Sequence, residues 1–324
     1  MPDAHESGVA APVEPDLLPD DIGVRSETLV AVDLDAPIPV PADVWLVGSD
    51  LDGTLLSSTL DVGARAVAAI PRLAERGIGF VYVTGRPPRW MRPVVAQTGH
   101  HGMAVCANGA LLVDLAEERL LRRTAIPVPL AEAVALRLRE LVPGITFAVE
   151  RLLAGADSVR DLGMLTVVGF EPRYDPPWAS RPGVESGDFL DLIGRGEPVK
   201  ILAAPPPGTG HDSDSLVALA ESEFADALHI THSGTKEVLI EIMAGEVDKG
   251  VAFLELAELL GVDPERTAAV GDMPNDVALI RAAGTGYAVA ECMSSSILRL
   301  NDGVWLREDI PGDKGAEFAV NDLS

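Results

Sequence analysis

The chain has 324 residues, 47% of them apolar and only 4% aromatic, with 50 acidic side chains against 25 basic ones. A net charge of −25 excludes a nucleic-acid or anionic-membrane partner on electrostatic grounds. The apolar runs are far shorter than a membrane span, and acids and prolines stand where a signal peptide needs basic and then apolar residues, so a cytoplasmic protein is expected. Cys106 and Cys292 form no metal-spaced set and suit a reducing compartment.

Residues 1–40 carry nine acids and a single base, Arg25, with prolines throughout. Such a segment buries too little apolar surface to offset its ordering entropy, so a disordered acidic tail is expected, with Thr28 to Val32 the one piece able to dock locally. The apolar run Val44-Trp45-Leu46-Val47 then reads as a strand covered on both faces. It stops abruptly at Asp50-Leu51-Asp52-Gly53-Thr54. Chain polarity puts both aspartates at the strand's carboxyl end, where open α/β sheets bind ligands. Two carboxylates that close repel, unless a cation lies between them or one holds a proton.

A helical pattern follows, with Val62, Ala66, Ala69, Ile70 and Leu73 on one face and Gly77 at its end. Ile78 to Val83 reads as a second buried strand, ending in Thr84-Gly85-Arg86 on the same sheet edge. A third strand, Met103 to Ala107, turns back through Asn108-Gly109 as a hairpin.

From about 114 the pattern changes to an inserted α+β domain spanning 114–231. A helix is expected over Leu130 to Leu141, and strands over Thr146 to Glu150, Met164 to Phe170 and Val199 to Ala203. A loop covers Glu171 to Gly187, a helix Ser213 to Phe224, and a strand Leu228 to Thr231. The first theme, 41–113, resumes over 232–324 with a strand at Val238 to Ile242 and then Lys249-Gly250. The helix after it places Val251, Leu254, Ala257 and Leu260 on one face. A lysine at a helix start opposes the dipole, which a bound anion would explain. Thr267 to Val270 is a further buried strand running into Gly271-Asp272-Met273-Pro274-Asn275-Asp276, where Asp276 could equally cap the next helix. Tyr287 to Ala290 and the segment Gly303 to Leu306 complete this domain.

Asp50, Asp52, Asp272 and Asp276 are hard oxygen donors of the kind Mg²⁺ prefers. Thr84 and Lys249 suit phosphate oxygens, and Gly53 lets the backbone approach closely. One carboxylate forming an aspartyl-phosphate beside another that shuttles the proton would account for the pair. The histidines (His100, His101, His229, His232) have no partner acid at a telling spacing and read as structural.

In these motifs, Asp50-Leu51-Asp52-Gly53-Thr54, Thr84-Gly85-Arg86, Lys249-Gly250 and Gly271-Asp272-Met273-Pro274-Asn275-Asp276, the chain resembles the haloacid dehalogenase superfamily of phosphohydrolases, within it the Cof-type branch. The resemblance implies a Rossmann-like three-layer α/β core with a parallel sheet and an inserted α+β cap. It implies Asp50 as nucleophile, Asp52 as general acid/base, and a phosphate site of Gly53, Thr54, Thr84, Gly85, Lys249 and Asn275. Mg²⁺ would be held by Asp50, the Asp52 backbone carbonyl and Asp272, with Asp276 in support. Arg86, Asn108 at the cap entry and Lys200 are candidates for substrate contact. The implied activity is Mg²⁺-dependent hydrolysis of a small phosphorylated metabolite, a sugar phosphate or a phosphorylated cofactor. A phosphomutase, a non-catalytic binding or regulatory protein, and a response-regulator-like domain are the alternatives; paired carboxylates and an inserted cap disfavour the last two. Composition alone generates one test. Deleting residues 1–40 is expected to leave turnover intact and to move Tm by less than about 2 °C in a thermal melt. A large loss of stability would show that Thr28 to Val32 is a packed element.

Overall fold

The computed structural model describes residues 44–174, 184–233, 237–288 and 304–306. The acidic tail with Thr28 to Val32, Cys292 and the end of the strand expected to reach Ala290 lie outside these residues. The elements run β1 (Leu46–Ser49), α1 (Ala64–Glu75), β2 (Gly79–Val83), α2 (Arg92–Thr98), β3 (Met103–Cys106), β4 (Leu111–Asp114) and β5 (Arg119–Arg123). Next come α3 (Val128–Leu141), β6 (Thr146–Leu152), β7 (Thr166–Phe170), β8 (Val184–Ser186), α4 (Phe189–Ile193), β9 (Glu197–Ala204), α5 (Ser213–Phe224), β10 (Leu228–Thr231) and β11 (Ile240–Ala244). The chain then passes through α6 (Lys249–Leu259), β12 (Thr267–Gly271), α7 (Val277–Ala282), β13 (Thr285–Ala288) and β14 (Val304–Leu306).

Two sheets result. The first has the order β14-β13-β12-β1-β2-β3-β4-β5, parallel from β14 to β3 and antiparallel through the β3–β4 and β4–β5 hairpins. Its strands alternate buried side chains to two helical layers. Val47, Phe80 and Tyr82 pack with Ala66, Ala69, Ile70 and Leu73 of α1 and with Val94 of α2. Leu46, Val81, Val83 and Val105 pack on the other face with Ala252, Phe253 and Leu256 of α6 and Leu279 of α7. This three-layer α/β arrangement is the one expected of near-continuously apolar parallel strands. The second sheet, β10-β11-β9-β6-β7-β8, is antiparallel apart from the β7–β8 pair. Helices α3, α4 and α5 pack against it.

Three expectations change. The strand expected near Val238 belongs, as β11, to the second sheet and not the first, pairing with β9 and β10. Its alternation specifies a strand and says nothing about its partner. The first sheet also extends past residue 113 by β5, whose arginine-rich Arg119-Leu120-Leu121-Arg122-Arg123 forms the sheet's edge. Finally, α6 buries Ala252, Phe253, Leu256 and Ala257, leaving Val251 and Leu260 exposed. A helix apolar nearly all round has no single stripe to read. Its seating depends on Gly250, where a Cβ would stand 2.3 Å from the Ala278 carbonyl oxygen of α7.

Candidate active site

Register brings the motif loops together. Leu46 of β1 lies opposite Gly79 of β2 on one side and Thr267 of β12 on the other, so the three parallel strands end level with one another. The residues just beyond those ends are Asp50, Thr84 and Asp272, all buried. The amino end of α6 supplies Lys249, 1% exposed. Asp248 caps that helix by accepting from the Val251 amide.

Lys249 Nζ donates to Asp50 Oδ1 at 2.6 Å and to Asp276 Oδ1 at 2.5 Å. The anions that offset the lysine's poor place in the helix dipole are therefore the protein's own carboxylates. Asp276 is not the side-chain cap of α7. Its Oδ2 instead accepts from the backbone amides of Asp272 and Met273, at 3.1 and 3.0 Å, fixing the loop that carries Asp272. Thr54 donates to Asp272 Oδ1 at 2.9 Å, so the hydroxyl expected at the phosphate is spent on this acid. Gly53, at φ +89°, passes so close that a Cβ there would lie 2.2 Å from Asp272 Oδ2. No L side chain fits that turn.

Oxygens of Asp50, Asp272 and Asp276 lie within 4.8 Å of one another. One lysine among three acids leaves negative charge uncompensated in a buried place. Burial, reinforced by the Asp276 charge, holds the Asp50 carboxyl well above the ordinary carboxylate range. The same two causes push Asp272 up to about 7. Burial works against the Lys249 charge, but Asp276 and Asp50 outweigh it and raise that pKa above the ordinary lysine value. Crowded hard oxygens short of positive charge fit a divalent cation.

Asp52 stands outside this cluster. Its side chain, 52% exposed, forms a two-pronged pair with Arg86, whose Nε donates to Oδ2 at 2.7 Å and whose terminal nitrogen contacts Oδ1. Thr84 Oγ1 accepts from the Arg86 amide at 3.0 Å, which shapes the turn behind that arginine. A cavity of about 250 Å³ opens between these loops and the second sheet. Its wall includes Asp50, Asp52 and Trp90 on one side and Glu150, Lys200 and Glu241 on the other. Lys200 Nζ donates to the Gly85 carbonyl at 2.7 Å and to Glu241 at 3.0 Å. Asn108 is fully buried and spends its amide on Glu241 and Asn275, away from the cavity wall.

Sequence reasoning passed over two features of this wall. Arg89 bridges the layers by pairing with Glu150 of β6 and donating to Thr166 Oγ1 of β7 at 2.9 Å. Glu241 sits within the apolar Leu239-Ile240-Glu241-Ile242, and a charge inside a buried strand was the available signal. The histidines take local roles: His100 bonds the Phe80 carbonyl at 2.8 Å, and His232 pairs with Asp214 at 2.9 Å.

A family model described as haloacid dehalogenase-like hydrolase matches residues 47–170 and 196–297. Among curated relatives, a phosphoglycolate phosphatase of Methanopyrus kandleri is 25% identical over 80% of this chain and 89% of its own. An HMP-PP phosphatase of Shigella flexneri is 24% identical over 76% of this chain and 85% of its own. Among solved structures, a subclass IIB sugar phosphatase superimposes with a TM-score of 0.67 at 16% identity, over 86% of this chain and 98% of that one. No helix among the described residues is long and apolar enough to cross a membrane.

The crowding makes a prediction about the cation-free protein. An acid whose folded-state pKa is raised costs stability once the pH exceeds its unfolded value, about 4, and the cost is complete above its folded value. In EDTA at pH 8, Asp272→Asn should therefore melt a few degrees above the parent, with the gain fading toward pH 4. Added Mg²⁺ should raise the parent's Tm and leave the variant's nearly unchanged. An Asp272→Asn protein that melts below the parent in EDTA would contradict the charge-crowding account.

Proposed function

The chain belongs to the haloacid dehalogenase-like hydrolases and is a phosphoric monoester hydrolase, and from that premise we propose a Mg²⁺-dependent phosphatase that works through an aspartyl-phosphate on Asp50. The observation that carries this reading is the single buried cluster of Asp50, Lys249, Asp272 and Asp276 beneath a cavity walled by the second sheet. In this reading the first sheet and its helices are the catalytic core, and the second sheet with its helices is the cap. Asp50, the Asp52 carbonyl and Asp272 would hold the cation, with Asp276 in support; the cation supplies the positive charge that lets a phosphate dianion enter an acidic site.

Lys249 keeps Asp50 oriented and lends its charge to the incoming phosphoryl oxygens. Asp50 attacks phosphorus, and Asp52 protonates the departing alkoxide. Asp52 then takes a proton from the water that cleaves the acyl phosphate, returning Asp50 as a carboxylate. Arg86 keeps the Asp52 side chain oriented toward the cavity until the substrate reaches it. Thr84, Gly85 and Asn275 complete the phosphate site, while Thr54 acts one step back by orienting Asp272. The size of the cavity favours a small leaving group, as in the phosphorylated metabolites that name the relatives.

Initial rates on a panel of phosphorylated metabolites, with Mg²⁺ and after exhaustive chelation, test the reading. Activity should vanish on chelation and return with Mg²⁺, but poorly with Ca²⁺, whose longer and looser coordination misplaces the nucleophile. Asp50→Asn should abolish turnover without unfolding the protein. Asp52→Asn should retain a residual rate, reduced by about 10²–10⁴ and highest on p-nitrophenyl phosphate, which needs little leaving-group protonation. Full activity after chelation, or in Asp50→Asn, overturns the mechanism.

A further inference from the structure

Two loops of the core are fastened to the second sheet through one buried carboxylate. Glu241 of β11 is 5% exposed. Its Oε1 accepts from Lys200 Nζ at 3.0 Å, and the same Nζ donates to the Gly85 carbonyl at 2.7 Å. Its Oε2 accepts from Asn108 Nδ2 at 2.6 Å. Asn108 Oδ1 in turn accepts from Asn275 Nδ2 at 3.2 Å. Backbone bonds tie the loops as well, from the Asn108 amide to the Thr84 carbonyl at 3.0 Å and from the Ala107 amide to the Arg86 carbonyl at 2.9 Å.

The chain of bonds has a direction. An ionised carboxylate only accepts, so Asn108 must present its amino group to Glu241. Its carbonyl then faces Asn275, which must answer with its own amino group. Turning either amide over would set oxygen against oxygen in a buried place. Burial alone pushes the Glu241 carboxyl up, but the Lys200 charge and the bonds from Asn108 and Lys200 outweigh it and hold it below the ordinary glutamate value. Asn275 lines the cavity beside Asp50, and one proton of its Nδ2 remains after the bond to Asn108. Its Oδ1 is buried with no partner among the described residues.

We propose that Glu241, contributed by the second sheet, is a positioning residue for hydrolysis: through Asn108 it sets which end of Asn275 meets the phosphoryl group, and through Lys200 it holds the Gly85 turn. Two separate parts of the phosphate site are thereby seated by one residue. This rests on the reading of Asn275 and Gly85 as phosphate-binding.

The test is competitive inhibition by inorganic phosphate of Mg²⁺-supported p-nitrophenyl phosphate hydrolysis. Glu241→Gln cannot accept from both Lys200 and Asn108 as the carboxylate does, and should raise the phosphate Ki by about tenfold, the scale of one charge-assisted hydrogen bond. Asn108→Gly cuts the same link from the core side, leaves the second sheet's interior untouched and suits a backbone at φ +55°. It should give a similar rise, and it carries the test if Glu241→Gln does not fold. In an Asn275→Ala background most of the Glu241→Gln effect should disappear, a non-additivity that a merely structural role would not produce. An unchanged Ki in Glu241→Gln or Asn108→Gly, or an equal effect of Glu241→Gln in both backgrounds, overturns the proposal. An unchanged Ki in Asn275→Ala alone instead removes the phosphate role of Asn275, and the relay with it.

Discussion

The structure turns on an ammonium group shared by two buried carboxylates. Lys249 reaches Asp50 at the end of β1 and Asp276 before α7, so one bridge joins three segments far apart in sequence. Burying one of these acids without its counter-charge would cost several kcal/mol. The strands must therefore end level and α6 must start at this point for the fold to be tolerable. The arrangement remains short of positive charge, and crowded hard oxygens in that condition suit a divalent cation. Asp276 illustrates the division of labour: both its oxygens are committed to Lys249 and to two backbone amides, so it builds the site, while Asp272 is left freer to act in it.

Much of this was legible in the chain because strand-end chemistry is local. Asp50-Leu51-Asp52-Gly53-Thr54 and Gly271-Asp272-Met273-Pro274-Asn275-Asp276 each follow an apolar run directly, and polarity places both on one edge. The hairpin at Asn108-Gly109 in the first sheet and the helix Ser213–Phe224 on the second are also readable as elements. What did not show was pairing. β11 alternates as a strand in either sheet would, and β5 is an edge rich in arginine that resembles a loop. The buried face of α6 is not legible in the chain because apolar residues stand nearly all round the helix. The division of duties within the site was also hidden: Thr54, Asn108 and Arg86 carry the residue types of ligand contacts, yet their partners are Asp272, Glu241 with Asn275, and Asp52.

The wall opposite the acids differs in kind. Its charges come as buried matched couples: Arg89 with Glu150 joins core to second sheet directly, and Lys200 with Glu241, both of the second sheet, reach the core through the Gly85 carbonyl and Asn108. A buried couple adds little net stability over an apolar pair of similar volume, but one partner without the other is strongly unfavourable. Their contribution is to alignment. They admit one seating of the second sheet over the first and penalise neighbouring ones, which an apolar contact of the same area would tolerate.

The two crossings between the sheets are short. Four residues, 124–127, separate β5 from α3, and four more, 245–248, separate β11 from α6. At about 3.5 Å per residue neither strap can lengthen far. Straps this short restrict translation of one sheet over the other more than rotation about the line through them. Lys249 is the first residue past one strap and Glu241 lies four positions before it, so both sit close to that axis. A swing that carried the far edge of the second sheet through a wide arc would displace these two charges far less.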